Sequence, residues 1–398
     1  MATRKAMKQA TAAGARRRSQ HDAGKGAKNP APRRGANGSA LAALINIADV
    51  EAAAMRKMPR ASFDYYAGGA EDERTLARNR SAMDRWVLLH RVLVDVSKPD
   101  LSTTFLGTPV TMPIALAPAA FHKLAHPDGE RATARAAGSA GVLMTASTIA
   151  SVTLEGIAEA ATGPLWFQLY VYKDRDLARD LAERAERSGY RALMLTVDTP
   201  ILGRRERDFR NGFTLPGGVT MANFDAYGDL YNRWNFPGGM AARVHDLMDQ
   251  SLTWDAVSWL RSISRLPIIL KGIVRADDAR RALDAGVDAI VVSNHGGRQI
   301  DGGEATILAL PDVVEAVAGR LEVYVDGGFQ RGSHILKALA LGARGVLIGR
   351  PYLWGLAVGG EPGVERVLAI LRGELTMAMA LAGAPRLADI DRSLVRPA

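Results

Sequence analysis

His295 and Arg298 stand three residues apart in the stretch SNHGGRQ (293–299), directly behind the apolar run AIVV (289–292). An imidazole titrates close to neutral pH, so His295 can act there as a general base. An arginine presents a planar fork that holds a carboxylate through two parallel bonds, a geometry lysine lacks. Arg298 is one such fork, and Arg205, in GRRERD (203–208), is a second. Tyr65 and Tyr170 offer hydroxyls to a substrate's oxygen atoms. Asp198 can stabilise an imidazolium beside it, and Lys271 is available to stabilise negative charge elsewhere. Together these groups fit a small carboxylate with an oxidisable or acidic C–H bond.

A second group of residues has a different chemistry. DGGFQRG (326–332) and IGRP (348–351) supply glycines for close backbone approach, amide donors and one arginine, Arg350. Such a pair of loops reads as a phosphate cradle, with Arg350 as a charge-assisted partner contributing about 1.5–3 kcal/mol.

These residues share a position relative to the chain's regular elements. Eight short apolar runs without alternation fit buried parallel strands: PIALAPA (113–119), VLMTAS (142–147), LWFQLYV (165–171), ALMLTVDT (192–199), PIILKGI (267–273), AIVVSN (289–294), EVYVDGG (322–328) and GVLIGR (345–350). Segments of helical spacing separate them, from GERATARAAGSAG to GVERVLAILRGELTMAMALAG. Eight strand–helix units in about 270 residues predict an α/β fold of the closed (β/α)8 TIM barrel type, over about residues 110–385. Helices over roughly 41–86 precede it. The interval 200–252, after the fourth strand, is long and rich in Gly and aromatic residues, as active-site lids are. Gln168, Tyr170, Thr196, Asp198, Lys271, Ser293, His295, Arg298, Asp326 and Arg350 all fall at strand C-terminal ends, where barrels of this type carry their chemistry. A lone histidine or lysine at such a place is more often structural; a whole set at one end is not.

The segments resemble the FMN-dependent L-2-hydroxy acid oxidase and dehydrogenase family, which includes glycolate oxidase and lactate oxidase. The resemblance spans about residues 44–395. It is carried by DYYAGGAEDE (64–73), APAAFHKLAHPDGE (117–130), FQLYVYKDR (167–175), LTVDTPILGRRERD (195–208), LPIILKGI (266–273), VVSNHGGRQ (291–299), VDGGFQRG (325–332) and IGRPYLWG (348–355). It implies FMN as cofactor, with its phosphate at Gly349 and Arg350 and at the backbone of Gly327 and Gly328. Asp326 would bind the ribityl chain. Pro118, Ala119, Ala120, Ser147, Gln168, Thr196 and Ser293 would contact the flavin ring, and Lys271 would lie near its N1 and O2. Tyr65, Tyr170, Arg205, His295 and Arg298 would meet the substrate, with His295 as base. The family often has arginine where Gln330 stands, which implies a weaker phosphate contact there or one supplied by Arg331. Ile149 replaces a tryptophan of glycolate oxidase and opens one side of the pocket, while Phe121 fills another.

The implied reaction is oxidation of a small L-2-hydroxy acid to the 2-oxo acid, with electrons passed to oxygen or to a quinone. Oxygen is favoured because no haem domain or membrane segment is fused. The family also implies a homotetramer. A rival reading makes Lys271 the Schiff-base lysine of a barrel aldolase, which leaves His295 and the arginines idle. Another takes the chain for a binding protein on a degenerate barrel.

Bulk composition narrows the classes further. The chain has 398 residues and no cysteine, which excludes disulfides, thiol chemistry and thiolate-held metals; no metal site is expected. No apolar run reaches the roughly 18 residues of a spanning helix, and a cytoplasmic protein is expected. The net charge of +9 is confined to residues 1–38, which hold ten Lys or Arg and one acid, Asp22, leaving 41 basic and 41 acidic residues in the domain at 39–398. That tail is too poor in large apolar residues to fold alone. No specific nucleic-acid partner is expected; a tail of this kind fits a disordered appendage, a weak anchor to anionic lipid or nucleic acid at a membrane periphery or elsewhere, or an organelle transit peptide.

Overall fold

The computed structural model describes residues 40–228 and 246–398. The expectation of an unfolded tail at 1–38 lies outside the described residues, as does residues 229–245 of the expected lid.

Eight parallel strands close into a barrel: β4 (Ile114–Leu116), β5 (Leu143–Ser147), β6 (Leu165–Leu169), β7 (Leu193–Thr196), β8 (Ile268–Ile273), β9 (Ala289–Val292), β10 (Glu322–Val325) and β11 (Gly345–Ile348), with β11 pairing back onto β4. Each strand lies within one of the eight apolar runs. Their lack of alternation has a direct cause, since both faces are buried. Ala115, Leu143, Trp166, Met194, Ile269, Val291, Tyr324 and Leu347 fill the interior. Their strand neighbours, such as Leu116, Phe167, Leu195, Leu270 and Val292, pack outward against the helices.

The floor of the barrel was not foreseen. A hairpin of β2 (Thr103–Phe105) and β3 (Thr108–Val110) closes the N-terminal end. Its Phe105 meets Tyr324 edge-on at 5.0 Å and lies 6.2 Å from Trp166. A Cβ at Gly345 would come within 2.3 Å of the Phe105 ring. With the floor plugged by aromatic side chains, only the opposite end is left for chemistry.

Helices follow the strands in the expected order. α4 (Gly129–Ser139), α5 (Leu154–Ala160), α6 (Arg175–Arg187), α8 (Asp255–Ile263), α9 (Ala276–Asp284), α10 (Thr306–Val317) and α11 (Gly332–Ala340) form the outer ring. Thr153 and Asp174 cap α5 and α6 by accepting backbone N–H bonds. A short helix, α7 (Glu206–Arg210), lies in the long interval after β7. The last unit carries an extra element: α12 (Arg350–Gly359) begins directly after Gly349 and precedes α13 (Glu361–Ala382).

Before the barrel come α1 (Ile47–Lys57), α2 (Arg60–Ala67) and α3 (Arg74–Ser81), then a 3-10 turn at Ala82–Arg85 and β1 (Trp86–Leu88). β1 pairs antiparallel with β12 (Val395–Pro397). Among the described residues, no helix is long and apolar enough to cross a membrane.

Candidate active site

A cavity opens at the C-terminal ends of the barrel strands, bounded by Tyr65 and Tyr66 of α2, by the loops after β10 and β11, and by Met221 and Met248 from the interval after β7. Every residue expected at the site lines this cavity except Asp198 and Ser293.

His295 owes its place to backbone geometry. It has φ +56°, and Gly296 and Gly297 follow in the same left-handed region. A Cβ at 297 would fall 2.6 Å from the Leu76 backbone nitrogen, on α3. The two glycines of SNHGGRQ therefore let the post-β9 turn press against α3 while turning the imidazole inward. His295 Nδ1 lies 2.9 Å from Asp198 Oδ1 and 3.3 Å from Thr199 Oγ1. The carboxylate keeps a proton on Nδ1 and leaves Nε2 with its lone pair. Burial pushes the His295 pKa down, against the pull of the Asp198 charge and hydrogen bond. Asp198 responds oppositely: burial would raise its carboxyl, but His295 and then Lys271 hold it below the ordinary value. Asp198 is thus a positioning residue behind His295, not part of the cavity wall.

Ser293 supports the site from below the cavity wall. Its hydroxyl is buried under the site, accepting from Lys271 Nζ at 2.8 Å and from the His295 backbone N–H at 3.1 Å. It joins the base to the lysine. Lys271 Nζ is also 3.1 Å from Asp326 Oδ2. Burial would lower the lysine's pKa, but Asp326 and Asp198 outweigh it and raise it. A Schiff-base lysine must lose its proton, so this ammonium argues against the aldolase reading.

The arginines form a row. Arg298 donates to the backbone oxygens of Tyr65 at 2.5 Å and Gly68 at 3.2 Å, and its guanidinium lies 5.1 Å from the Tyr65 ring centroid. Arg205 is held near the Arg298 carbonyl and the Gln299 side chain, both at 3.5 Å. Burial, then repulsion by Arg298, pushes the Arg205 pKa down to about 10. Arg350 donates to the oxygens of Tyr66, Gly296 and Gly68 at 2.7, 3.0 and 2.8 Å. Its pKa falls to about 9, through burial and then through Arg298 and Arg80. Two guanidinium groups held below their ordinary pKa by burial and by the Arg298 charge make an environment suited to anions.

The remaining walls are neutral. Gln168 accepts from Ser147 Oγ at 3.2 Å and donates to Thr196 Oγ1 at 3.0 Å, tying β5, β6 and β7 together under the cavity. Burial raises the pKa of Tyr65, and burial with the nearby Asp198 charge raises that of Tyr170, so both keep their hydroxyl protons.

The fit to FMN can be judged on these atoms. Asp326 Oδ1 is buried with no hydrogen-bond partner among the described residues, an acceptor suited to a ribityl hydroxyl. Gly349 has only the Ala117 methyl, at 4.0 Å, near its missing Cβ, which leaves backbone open to a phosphate at the start of α12. The residues present fit the cofactor. Of the two alternatives at Gln330, the geometry favours the weaker contact: Arg331 pairs with Glu374 of α13 at 3.1 Å and does not line the cavity.

Several lining residues were not foreseen: Arg80 of α3, Thr199, and the apolar Met221, Leu247 and Met248 from the interval after β7. Only the length and Gly-aromatic texture of that interval pointed to the last three.

The comparisons with known proteins agree with this geometry. The family described as FMN-dependent dehydrogenase matches residues 54–397. Glycolate oxidase 1 of Oryza sativa subsp. indica is 50% identical over 350 residues, covering 88% of this chain and 95% of the rice protein. An L-lactate oxidase of Nostoc sp. is 50% identical over 363 residues, covering 90% and 99%. A mandelate oxidase structure with (S)-4-hydroxymandelic acid superposes with a TM-score of 0.84 at 44% identity, covering 89% of this chain and 99% of that one. The cofactor is FMN, and the chain belongs to the FMN-dependent dehydrogenase family.

Proposed function

We propose that the protein oxidises the Cα–OH of an L-2-hydroxy acid bearing an apolar side chain, giving the 2-oxo acid. FMN, when bound, supplies the two-electron acceptor. Arg205 and Arg298 hold the substrate carboxylate, while Tyr65 and Tyr170 donate to its oxygens. His295 takes a proton from the substrate at Nε2, and Asp198 stabilises the resulting imidazolium. Lys271, kept protonated by Asp326, places positive charge beside the cofactor site. The observation that carries the reading is His295, backed by Asp198, on the same cavity as the buried Arg205 and the half-buried Arg298, neither of which has a carboxylate partner among the described residues.

The side-chain preference rests on Phe121, Ile149, Met221, Leu247 and Met248, which line the cavity with apolar side chains. A methylene or ring gains free energy on leaving water for such a wall, at about 25 cal/mol per Å²; glycolate has no side chain with which to use it. The likeness to a mandelate oxidase supports this direction. Oxygen is the proposed acceptor, reduced to hydrogen peroxide, because the similar curated proteins are named oxidases. Exposed Val92 and Leu93, on the segment whose Arg91 N–H donates to the Ala382 carbonyl at the end of α13, together with exposed Met377 and Leu381 of that helix, support the homotetramer as a proposal. Cytoplasmic placement, with residues 1–38 as a peripheral anchor, is part of the same proposal, resting on the basic charge of that segment.

The test is anaerobic bleaching of the bound flavin with glycolate, L-lactate, (S)-mandelate and longer aliphatic L-2-hydroxy acids, followed by oxygen or quinone. Bleaching by apolar L-acids and one peroxide per turnover are expected. A flavin left oxidised by every acid sinks the reading.

A further inference from the structure

Among the basic residues at the cavity's phosphate end, Arg80 has no role in the account so far. It lies on α3, the residue after Asn79, and Asn79 is the side chain on which the Gly327–Gly328 turn rests. A Cβ at Gly328 would come within 2.1 Å of the Asn79 carbonyl oxygen, and one at Gly327 within 3.3 Å of its Nδ2. Asn79 also exchanges two side-chain hydrogen bonds, at 2.8 and 2.9 Å, with Asn294 behind β9. Arg80 is therefore fixed beside the loop that follows β10. It lines the cavity with Gln330, Gly349 and Arg350, and it is close enough to Arg350 to depress its pKa.

Its present partner is replaceable. Arg80 Nη2 lies 3.0 and 3.2 Å from the two oxygens of Glu51. The arginine side chain is 43% exposed, and ion pairs in that setting contribute little. Gln330 brings no charge to this end, and Arg331, in a similarly exposed pair with Glu374, does not line the cavity as Arg80 does. Arg350 has each of its three nitrogens engaged with a backbone carbonyl. A dianionic phosphate would meet one committed guanidinium and one that can still be turned.

We propose that Arg80 binds the phosphate of the cofactor, supplying from α3 the positive charge that Gln330 does not. The inference rests on the assignment of the β10 and β11 loops as the phosphate end, which the test separates from the role of Arg80. Glu51 then acts as the alternative partner, holding the guanidinium at the rim when no phosphate is present.

The experiment titrates apoprotein with FMN and with riboflavin, which lacks the phosphate, and follows quenching of flavin fluorescence. Arg80→Gln is expected to weaken FMN about tenfold or more while leaving riboflavin within about twofold. Gln330→Arg in that background is expected to restore most of the loss, and to tighten FMN less in the wild-type chain, a coupling that a merely structural arginine would not show. Glu51→Gln, which removes the competing carboxylate, is expected to keep or tighten FMN binding even if Arg80→Gln proves poorly folded. Equal loss of both flavins in Arg80→Gln, no loss of FMN, or weaker FMN binding in Glu51→Gln overturns the role of Arg80. Wild-type protein that binds riboflavin as tightly as FMN overturns the phosphate end itself.

Discussion

Asp198 stands directly behind His295, Oδ1 2.9 Å from Nδ1, with its other oxygen buried and without a hydrogen-bond partner among the described residues. That arrangement fixes which imidazole nitrogen carries the proton and stores negative charge where a positive charge must form. Asp198→Asn keeps the shape and removes the charge. Turnover is expected to fall about 10²- to 10⁴-fold with FMN content unchanged, measured by flavin reduction in stopped flow. Near-normal reduction would show that the carboxylate is a bystander.

The same pair sets the acid limb of the pH profile. His295 works as a base only when neutral, and burial holds its pKa below 6.5 despite Asp198. The midpoint of the acid limb at low substrate is therefore expected below pH 6.5, with activity levelling off above it towards neutrality. In Asp198→Asn the limb moves to still lower pH, because the group that raises the pKa is gone. A midpoint above 6.5 in the wild type contradicts the burial argument.

Arg298→Lys addresses the carboxylate clamp. The arginine serves two purposes, since Nη1 also holds the oxygens of Tyr65 and Gly68. A lysine has no fork to divide between them, so KM is expected to rise about 10- to 100-fold with a smaller change in kcat. Steady-state kinetics with a competitive carboxylate inhibitor checks it; an unaltered inhibitor constant removes Arg298 from the clamp.

Ile149→Trp tests the apolar wall. An indole there occupies the space left for a side chain, so the ratio of kcat/KM for a bulky acid over glycolate is expected to fall about 10- to 200-fold. If the ratio holds, the preference is set elsewhere in the cavity.

Gly328→Ala examines the turn under the phosphate end. Its φ is +85°, and the new methyl would strike the Asn79 carbonyl. Destabilisation of about 2–4 kcal/mol is expected, read as a lower Tm and reduced flavin content; an unchanged Tm would mean that α3 gives way freely.

Much of this was legible in the chain. All eight strands announced themselves because burial on both faces forces unbroken apolar runs, and the site residues followed from where those runs stop. What escaped did so for physical reasons. The Phe105 hairpin consists of two three-residue strands, too short for any period to show. Ser293 lies at a strand end, but neighbouring residues there alternate between facing the cavity and supporting it, and spacing alone does not reveal which. Arg331 is one of two ways to make good the missing charge at Gln330 until its pairing with Glu374, 43 residues on, comes into view. Arg80 and Met248 reach the cavity from outside the barrel repeat, through tertiary packing that no local pattern encodes. The glycines at 327 and 328 were read as making room for a phosphate; the structure shows that their missing side chains make room for Asn79 and Thr306.

The ribbon of β1 and β12 gives this packing an unexpected dependency. Trp86 faces Pro397 in the pairing, the Ala398 N–H reaches the Arg85 oxygen at 2.9 Å, and Arg392 covers the Trp86 ring at 4.7 Å. Residues 395–397 thus latch the segment whose preceding helix carries Asn79 and Arg80. Losing that strand would release Trp86 and its neighbours from their pairing while leaving the eight barrel strands, none of which it pairs with, in place.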